Sequence, residues 1–328
     1  MTIIAIEEHW TTPALKDALL ALPKDRQDPS VALNEMGDNL VRLEDIGDGR
    51  IRAMDEQGID IQILSVAPPA TGPLDPSESV RLSRETNDLA AQAVGRHPDR
   101  LKAMATLPMA DPGKVAEELE RAAGLGFVGA MVYGRTGERM LDDPAYDDLF
   151  ATAARLGQPI FIHPQIPSST IRDAAYSGFN DLTGLALATF GWGWHLEAAL
   201  AALRLIARGT FDRHPDLQVV LGHWGELLLF WQDRVESISR VAGLERTVSE
   251  VVRSNVFITS SGMFNPALLH HALEATSIDK LLFSTDYPFQ KPSKSDIATF
   301  LGEFSNDEDR ARFTSENARR LFRLKPVT

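Results

Sequence analysis

The stretch LKAMATLPMADPGKVAEELERAAGLGFVGAMVY, Leu101 to Tyr133, decides the fold. Two short apolar runs, LKAMATL (101–107) and GAMVY (129–133), flank a segment of different rhythm. In PGKVAEELERAAGLG, Val115, Leu119 and Ala122 recur at helical spacing, and Gly124 is the expected stop. The flanking runs do not alternate apolar with polar, so each is expected to be buried on both faces. A strand of that kind belongs in a parallel sheet, and the helix between is the crossover that covers it.

The unit recurs along the chain. After GAMVY, the segment DDPAYDDLFATAARLG places Leu149, Ala153 and Leu156 on one helical face, with Gly157 closing it before PIFIH (159–163). Further runs of this type are IIAI (3–6), DIQILSV (60–66), LQVVLGH (217–223), VFITSS (256–261) and KLLFST (280–285). Eight strands, most followed by a helical pattern, predict a (β/α)8 TIM barrel occupying one domain over 1–328. A doubly wound open sheet is the alternative, but no G-x-G-x-x-G follows any strand. Two connections are long: Trp10 to about Asp48, with Pro13, Pro23 and Pro29, and Pro164 to about Trp192, rich in Ser, Gly, Asp and Asn. They follow the first and fifth strands and are expected to be unstructured loops serving as lids or dimer contacts.

Composition narrows the chemistry. With 44% hydrophobic and 24% charged residues, the 328-residue chain reads as a soluble globular protein. It has no cysteine, so a metal would have to take nitrogen and oxygen ligands. A formal charge of −13 and the lack of a Lys/Arg-rich run argue against nucleic acid as a partner. The most apolar stretch, ALATFGWGWHLEAALAALRLIA, carries His195, Glu197 and Arg204 and is broken by Gly191 and Gly193, so it is not a membrane span. No signal peptide is read at the start, and a cytoplasmic homo-oligomer, dimer or tetramer, is expected.

In such a barrel, chemistry sits at the C-terminal ends of the strands. The first strand ends in IEEHW, where Glu7 and His9, two positions apart, should share one side and Glu8 the other. The fifth ends in His163, the sixth in His223 and the eighth in Asp286. Three imidazoles and two carboxylates converging at one end would be costly to bury unpaired, and a divalent cation satisfies them together. Glu226, three residues after His223, is placed to orient that imidazole from the next turn. Arg234 falls on roughly the same helical face and could meet an anionic substrate, or equally be a surface arginine. His97 and His214 read as exposed turn residues, and of His270 and His271, in the helical run PALLHHALEA, one reads as exposed and the other as wedged at a helix contact. His195 is ambiguous, opening a helix after a loop of aromatics and glycines.

The motifs IEEHW, FIHPQIP, FDRHPDLQVVLGHWGE, LLFSTDYPF and SENARRLFRL together resemble the amidohydrolase superfamily, and within it the metal-dependent, non-oxidative decarboxylase branch. The resemblance covers nearly the whole chain. It implies that Glu7, His9, His163 and Asp286 hold one divalent ion, Mn²⁺ or Zn²⁺, and that His223 with Glu226 is catalytic or polarises the substrate. It also implies that Asp286 delivers a proton to the carbon losing CO₂. The implied substrate is a hydroxylated aromatic acid of dihydroxybenzoate type; a flat ring suits a pocket that draws on Tyr133, Trp192, Trp194 and Phe289, aromatics that could equally be core, with Arg234 for its charge. Hydrolysis of a lactone or amide needs nearly the same equipment and is the alternative.

Overall fold

The computed structural model describes residues 1–325, so the last three residues of the expected domain lie outside the described residues. The apolar runs pair as expected. The strands are β1 (Ile4–Trp10), β2 (Ile61–Val66), β3 (Leu101–Thr106), β4 (Gly129–Tyr133), a small antiparallel hairpin of β5 (Arg135–Thr136) and β6 (Arg139–Met140), then β7 (Ile160–His163), β8 (Val219–Leu221), β9 (Val256–Thr259) and β10 (Leu281–Leu282). Leaving the hairpin aside, the other eight form one parallel sheet in chain order. The first and last are joined where the Ile6 amide donates to Phe283 O at 3.2 Å and the His9 amide to Tyr287 O at 2.6 Å. The result is a nearly closed barrel with flanking helices, the TIM-barrel architecture.

Alternation along each strand builds two apolar layers. Ile6, Ile63, Met104, Met131, Phe161, Val220, Phe257 and Leu282, one from each barrel strand, fill the interior as a packed core. Their neighbours Ala5, Leu64, Ala103, Val132, Ile162 and Leu221 face outward into the layer under the helices. Fully burying one such aliphatic side chain is worth roughly 1.5–3 kcal/mol. The crossover after β3 spans Pro112–Gly124, burying Val115, Leu119 and Ala122. Its left-handed exit falls on Gly126 (φ 93°) rather than on Gly124. The next, Asp147–Leu156, ends on Gly157 at φ 63°.

The two long connections are not unstructured. The first holds helices Pro13–Leu20 and Asn39–Glu44 and a 3-10 turn Pro29–Glu35; the second holds Ser169–Ala175 and Asp181–Ala188. Pro13 and Pro29 sit at the starts of helical turns, where a proline's missing N–H costs nothing, so prolines that suggested loops mark helix beginnings. Among the described residues, no helix is long and apolar enough to cross a membrane.

Candidate metal centre and active site

The geometry begins with a bulge in β1. Ile4 and Ile6 point into the barrel, so strict alternation would send Glu8 inward and Glu7 and His9 outward. Instead the register with β2 slips between Ile6↔Ile63 and Glu8↔Leu64, and Glu7 takes φ 70°. The extra residue re-aims the strand end. His9 now pairs with Ser65, on the interior face, and Glu7 and His9 both reach the barrel mouth. Glu8, opposite the outward-facing Leu64, is buried outside the barrel, where it accepts from Gln62 Nε2 (3.0 Å), the Thr285 amide (2.9 Å) and Thr285 Oγ1 (2.6 Å).

Glu7, His9, His163 and Asp286 each offer a ligand atom, and these atoms all lie within 4.8 Å of one another. His163 Nδ1 faces the Pro164 carbonyl at 2.8 Å, which fixes its proton there and leaves Nε2 toward Glu7 Oε1 at 3.5 Å. Glu7 Oε2 accepts from Ser261, from Thr259 Oγ1 at 3.1 Å and from Ser284 Oγ at 3.3 Å, whereas Glu7 Oε1 is buried with no hydrogen bond from the described residues. His9 Nε2 is also buried without one, although Asp286 Oδ1 is 3.3 Å away. Burial holds the His9 imidazole neutral, its pKa lowered to about 3, and holds His163 well below its usual value. Neutral imidazoles and carboxylates with unpartnered atoms aimed at one point are the donor set a divalent cation requires, and the residues fit it. Without a cation, burial pushes Glu7 up to about 8 and Asp286 up to about 7.

His223 stands beside this cluster, its Nδ1 4.0 Å from Glu7 Oε1 and 2.7 Å from Glu226 Oε1. Glu226 is near for an unexpected reason. His223, Trp224, Gly225, Glu226 and Leu227 all have positive φ, so the chain makes one left-handed turn instead of starting a right-handed helix. Gly222 permits the approach: a Cβ there would lie 2.9 Å from Glu7 Oε1 and 3.1 Å from Glu226 Oε1. Burial alone would lower His223, but the Glu226 and Glu7 carboxylates outweigh it and raise the imidazole to about 10. Burial likewise opposes ionisation of Glu226, yet His223 and His195 bring it down to about 2.

His195, left ambiguous by the sequence, completes this arrangement. Its Nδ1 lies 2.7 Å from Glu226 Oε2, so one carboxylate bridges two imidazoles whose rings are 4.6 Å apart. The histidine in the glycine-punctuated loop was the only signal, since its partner lies 31 positions on. His195→Phe is expected to lower kcat on the order of tenfold, the scale of one hydrogen bond to a charged group. His195→Gln, which keeps an N–H for Glu226, should recover most of it; steady-state kinetics of the two variants checks this.

A cavity of about 550 Å³ opens above the cluster, lined by His163, His195, His223, Glu226 and Asp286 together with Trp192, Trp194 and Phe289. Two expected substrate contacts are not in it. Tyr133 is buried behind His163, its hydroxyl donating to Val66 O at 3.2 Å. Arg234 is exposed and does not line the cavity, because the left-handed turn breaks the helical phase that had aligned it with His223.

Comparison with known proteins agrees with this architecture. Residues 11–324 match the family model described as Amidohydrolase. The chain is 34% identical to a γ-resorcylate decarboxylase of Rhizobium sp. (strain MTP-10005), with 98% of each chain covered. A dihydroxybenzoic acid decarboxylase from Polaromonas sp. JS666, solved with bound manganese and the inhibitor 2-nitroresorcinol, superposes with a TM-score of 0.83 at 32% identity over 99% of this chain and 98% of that one. A 5-carboxyvanillate decarboxylase from Novosphingobium aromaticivorans, solved with manganese and 4-hydroxy-3-methoxy-5-nitrobenzoic acid, gives 0.89 at 29% identity over 98% and 96%.

Proposed function

The chain belongs to the amidohydrolase family, and from that membership we propose that it is a carboxy-lyase that removes CO₂ without oxidation from a hydroxylated aromatic acid. The observation that carries this is the full-length likeness to aromatic acid decarboxylases. Glu7, His9, His163 and Asp286 would hold one divalent ion, and a set with two carboxylates suits Mn²⁺ better than Zn²⁺. Such an ion, when bound, stabilises negative charge on the substrate's carboxylate and ortho oxygen.

The chain's own groups account for the rest. Replacing a ring carboxylate by hydrogen consumes one proton and releases one CO₂, and Asp286 is the group we assign to deliver that proton to carbon. His223, oriented by Glu226, handles the proton of the hydroxyl or carboxylate at the same face. Trp192 and Phe289 offer ring faces and edges to a flat substrate. Exposed Phe230 and Trp231 support a homo-oligomeric enzyme, since apolar patches of this kind mark protein contacts.

The test is incubation of the metal-loaded protein in D₂O with a panel of hydroxybenzoates and of lactones. Deuterium at the former carboxyl-bearing carbon, with CO₂ evolved, is the expected result. Lactones opened while every hydroxybenzoate keeps its carboxylate would overturn decarboxylation and favour hydrolysis.

A further inference from the structure

Much of the cavity lies beyond the cluster. An apolar cavity of about 150 Å³ accommodates one benzene ring, whereas this one is about 550 Å³, within the range that takes drug-sized ligands. Its lining also includes the apolar side chains of Leu33, Met36, Phe190, Trp192, Leu227 and Met263. Four of these stand at the mouth, with Met36 47%, Phe190 53%, Trp192 46% and Met263 41% exposed. Among the described residues, no lysine or arginine lines the cavity, and its carboxylates, Glu226 and Asp286, are at the cluster end. The uncharged polar side chains in the lining include the amides of Asn39 and Gln290, which can meet a hydroxyl as donor or as acceptor, whereas Ser261 Oγ is already engaged by Glu7 Oε2, Thr259 and the His223 amide.

We propose that this outer half is a subsite for an apolar substituent, so that the preferred substrate is a hydroxylated aromatic acid bearing an alkyl or aryl group of several carbons and no second carboxylate. The inference rests on the aromatic-acid reading of the site and deepens it. Apolar walls at the mouth favour a substituent that removes them from water, and methionines adapt to its shape. Each methylene buried there should strengthen recognition about fourfold, the equivalent of about 0.8 kcal/mol. A carboxylate in the same place would be desolvated without a cation to meet it.

The experiment uses 2-hydroxybenzoates carrying hydrogen, methyl, propyl, pentyl or carboxylate at the 4-, 5- or 6-position. Two quantities are measured on the manganese-loaded protein: kcat/KM for CO₂ release, and Kd from quenching of tryptophan fluorescence. At one ring position at least, kcat/KM and affinity should rise on the order of tenfold or more from hydrogen to propyl, and the carboxylate analogue should be the poorest. In Met36→Lys/Met263→Lys the propyl-to-hydrogen ratio should fall severalfold and the carboxylate analogue should improve. Equal or weaker binding of every alkyl compound, with the unsubstituted acid turned over best, would overturn the subsite and leave decarboxylation intact. Tightening affinity along the series without CO₂ release from any member would uphold the subsite and remove the decarboxylase assignment.

Discussion

Asp286→Asn is expected to slow decarboxylation on the order of 10³-fold, within the range that general acid–base catalysis supplies, while the protein stays folded and keeps its metal. The backbone argument comes first. Asp286 has φ 60°, a conformation asparagine tolerates as readily as aspartate, and its carbonyl still accepts from the amides of Phe289 (2.9 Å) and Gln290 (3.1 Å). The side-chain argument follows. Asparagine retains a carbonyl oxygen where Oδ1 now sits 3.3 Å from His9 Nε2, so a ligand atom survives beside Glu7, His9 and His163. What it lacks is a carboxyl that can release and regain a proton. The expected pattern is therefore one ion per chain by elemental analysis, an unchanged Tm and a collapsed kcat. Activity within tenfold of the parent would show that the proton reaches carbon from another group, and His223 would be the next candidate.

The eight strands were legible because a parallel barrel strand is apolar on both faces and its crossover helix carries a different period; both signals are local. The polar cluster was legible because Glu7, His9 and His163 stand at strand ends and Asp286 follows the last strand, but His223 shares that signal, and only the family resemblance separated it from the four expected ligands. What the sequence hid is backbone conformation that no residue type announces. Parity along IIAIEEHW paired Glu7 with His9 correctly, yet the same parity would have put them opposite Ile4 and Ile6; only the bulge reconciles an apolar interior below with a polar mouth above. The left-handed turn at His223–Leu227 is hidden in the same way, since Trp224, Glu226 and Leu227 are not residues that advertise positive φ. That turn removes the alignment assumed for Arg234, and it lets Glu226 turn its second oxygen to His195, which the sequence had left ambiguous.

Exchanging the two adjacent acids of β1 one at a time should separate these functions sharply. Glu7→Gln is expected to abolish metal retention, because Oε2 is held by three hydroxyls and the amide nitrogen would take the place of Oε1, the buried atom left for a cation. An amide N–H aimed at His163 Nε2, 3.5 Å from that oxygen, also consumes the lone pair the histidine would offer. Glu8→Gln should keep the metal and destabilise the fold instead. Both Glu8 oxygens accept, from Thr285 and from Gln62, and Gln62 in turn faces buried Arg50, whose guanidinium donates to His9 O at 2.7 Å. An amide there sets a donor against a donor and removes one of the carboxylates, beside Asp45, that offset the buried Arg50 charge, at a cost of about 1–3 kcal/mol, or a Tm lower by several degrees. Metal content by elemental analysis and Tm by calorimetry distinguish the two variants. Loss of metal from Glu8→Gln with retention by Glu7→Gln would mean that β1 runs without its bulge, Glu8 facing the barrel beside Ile4 and Ile6.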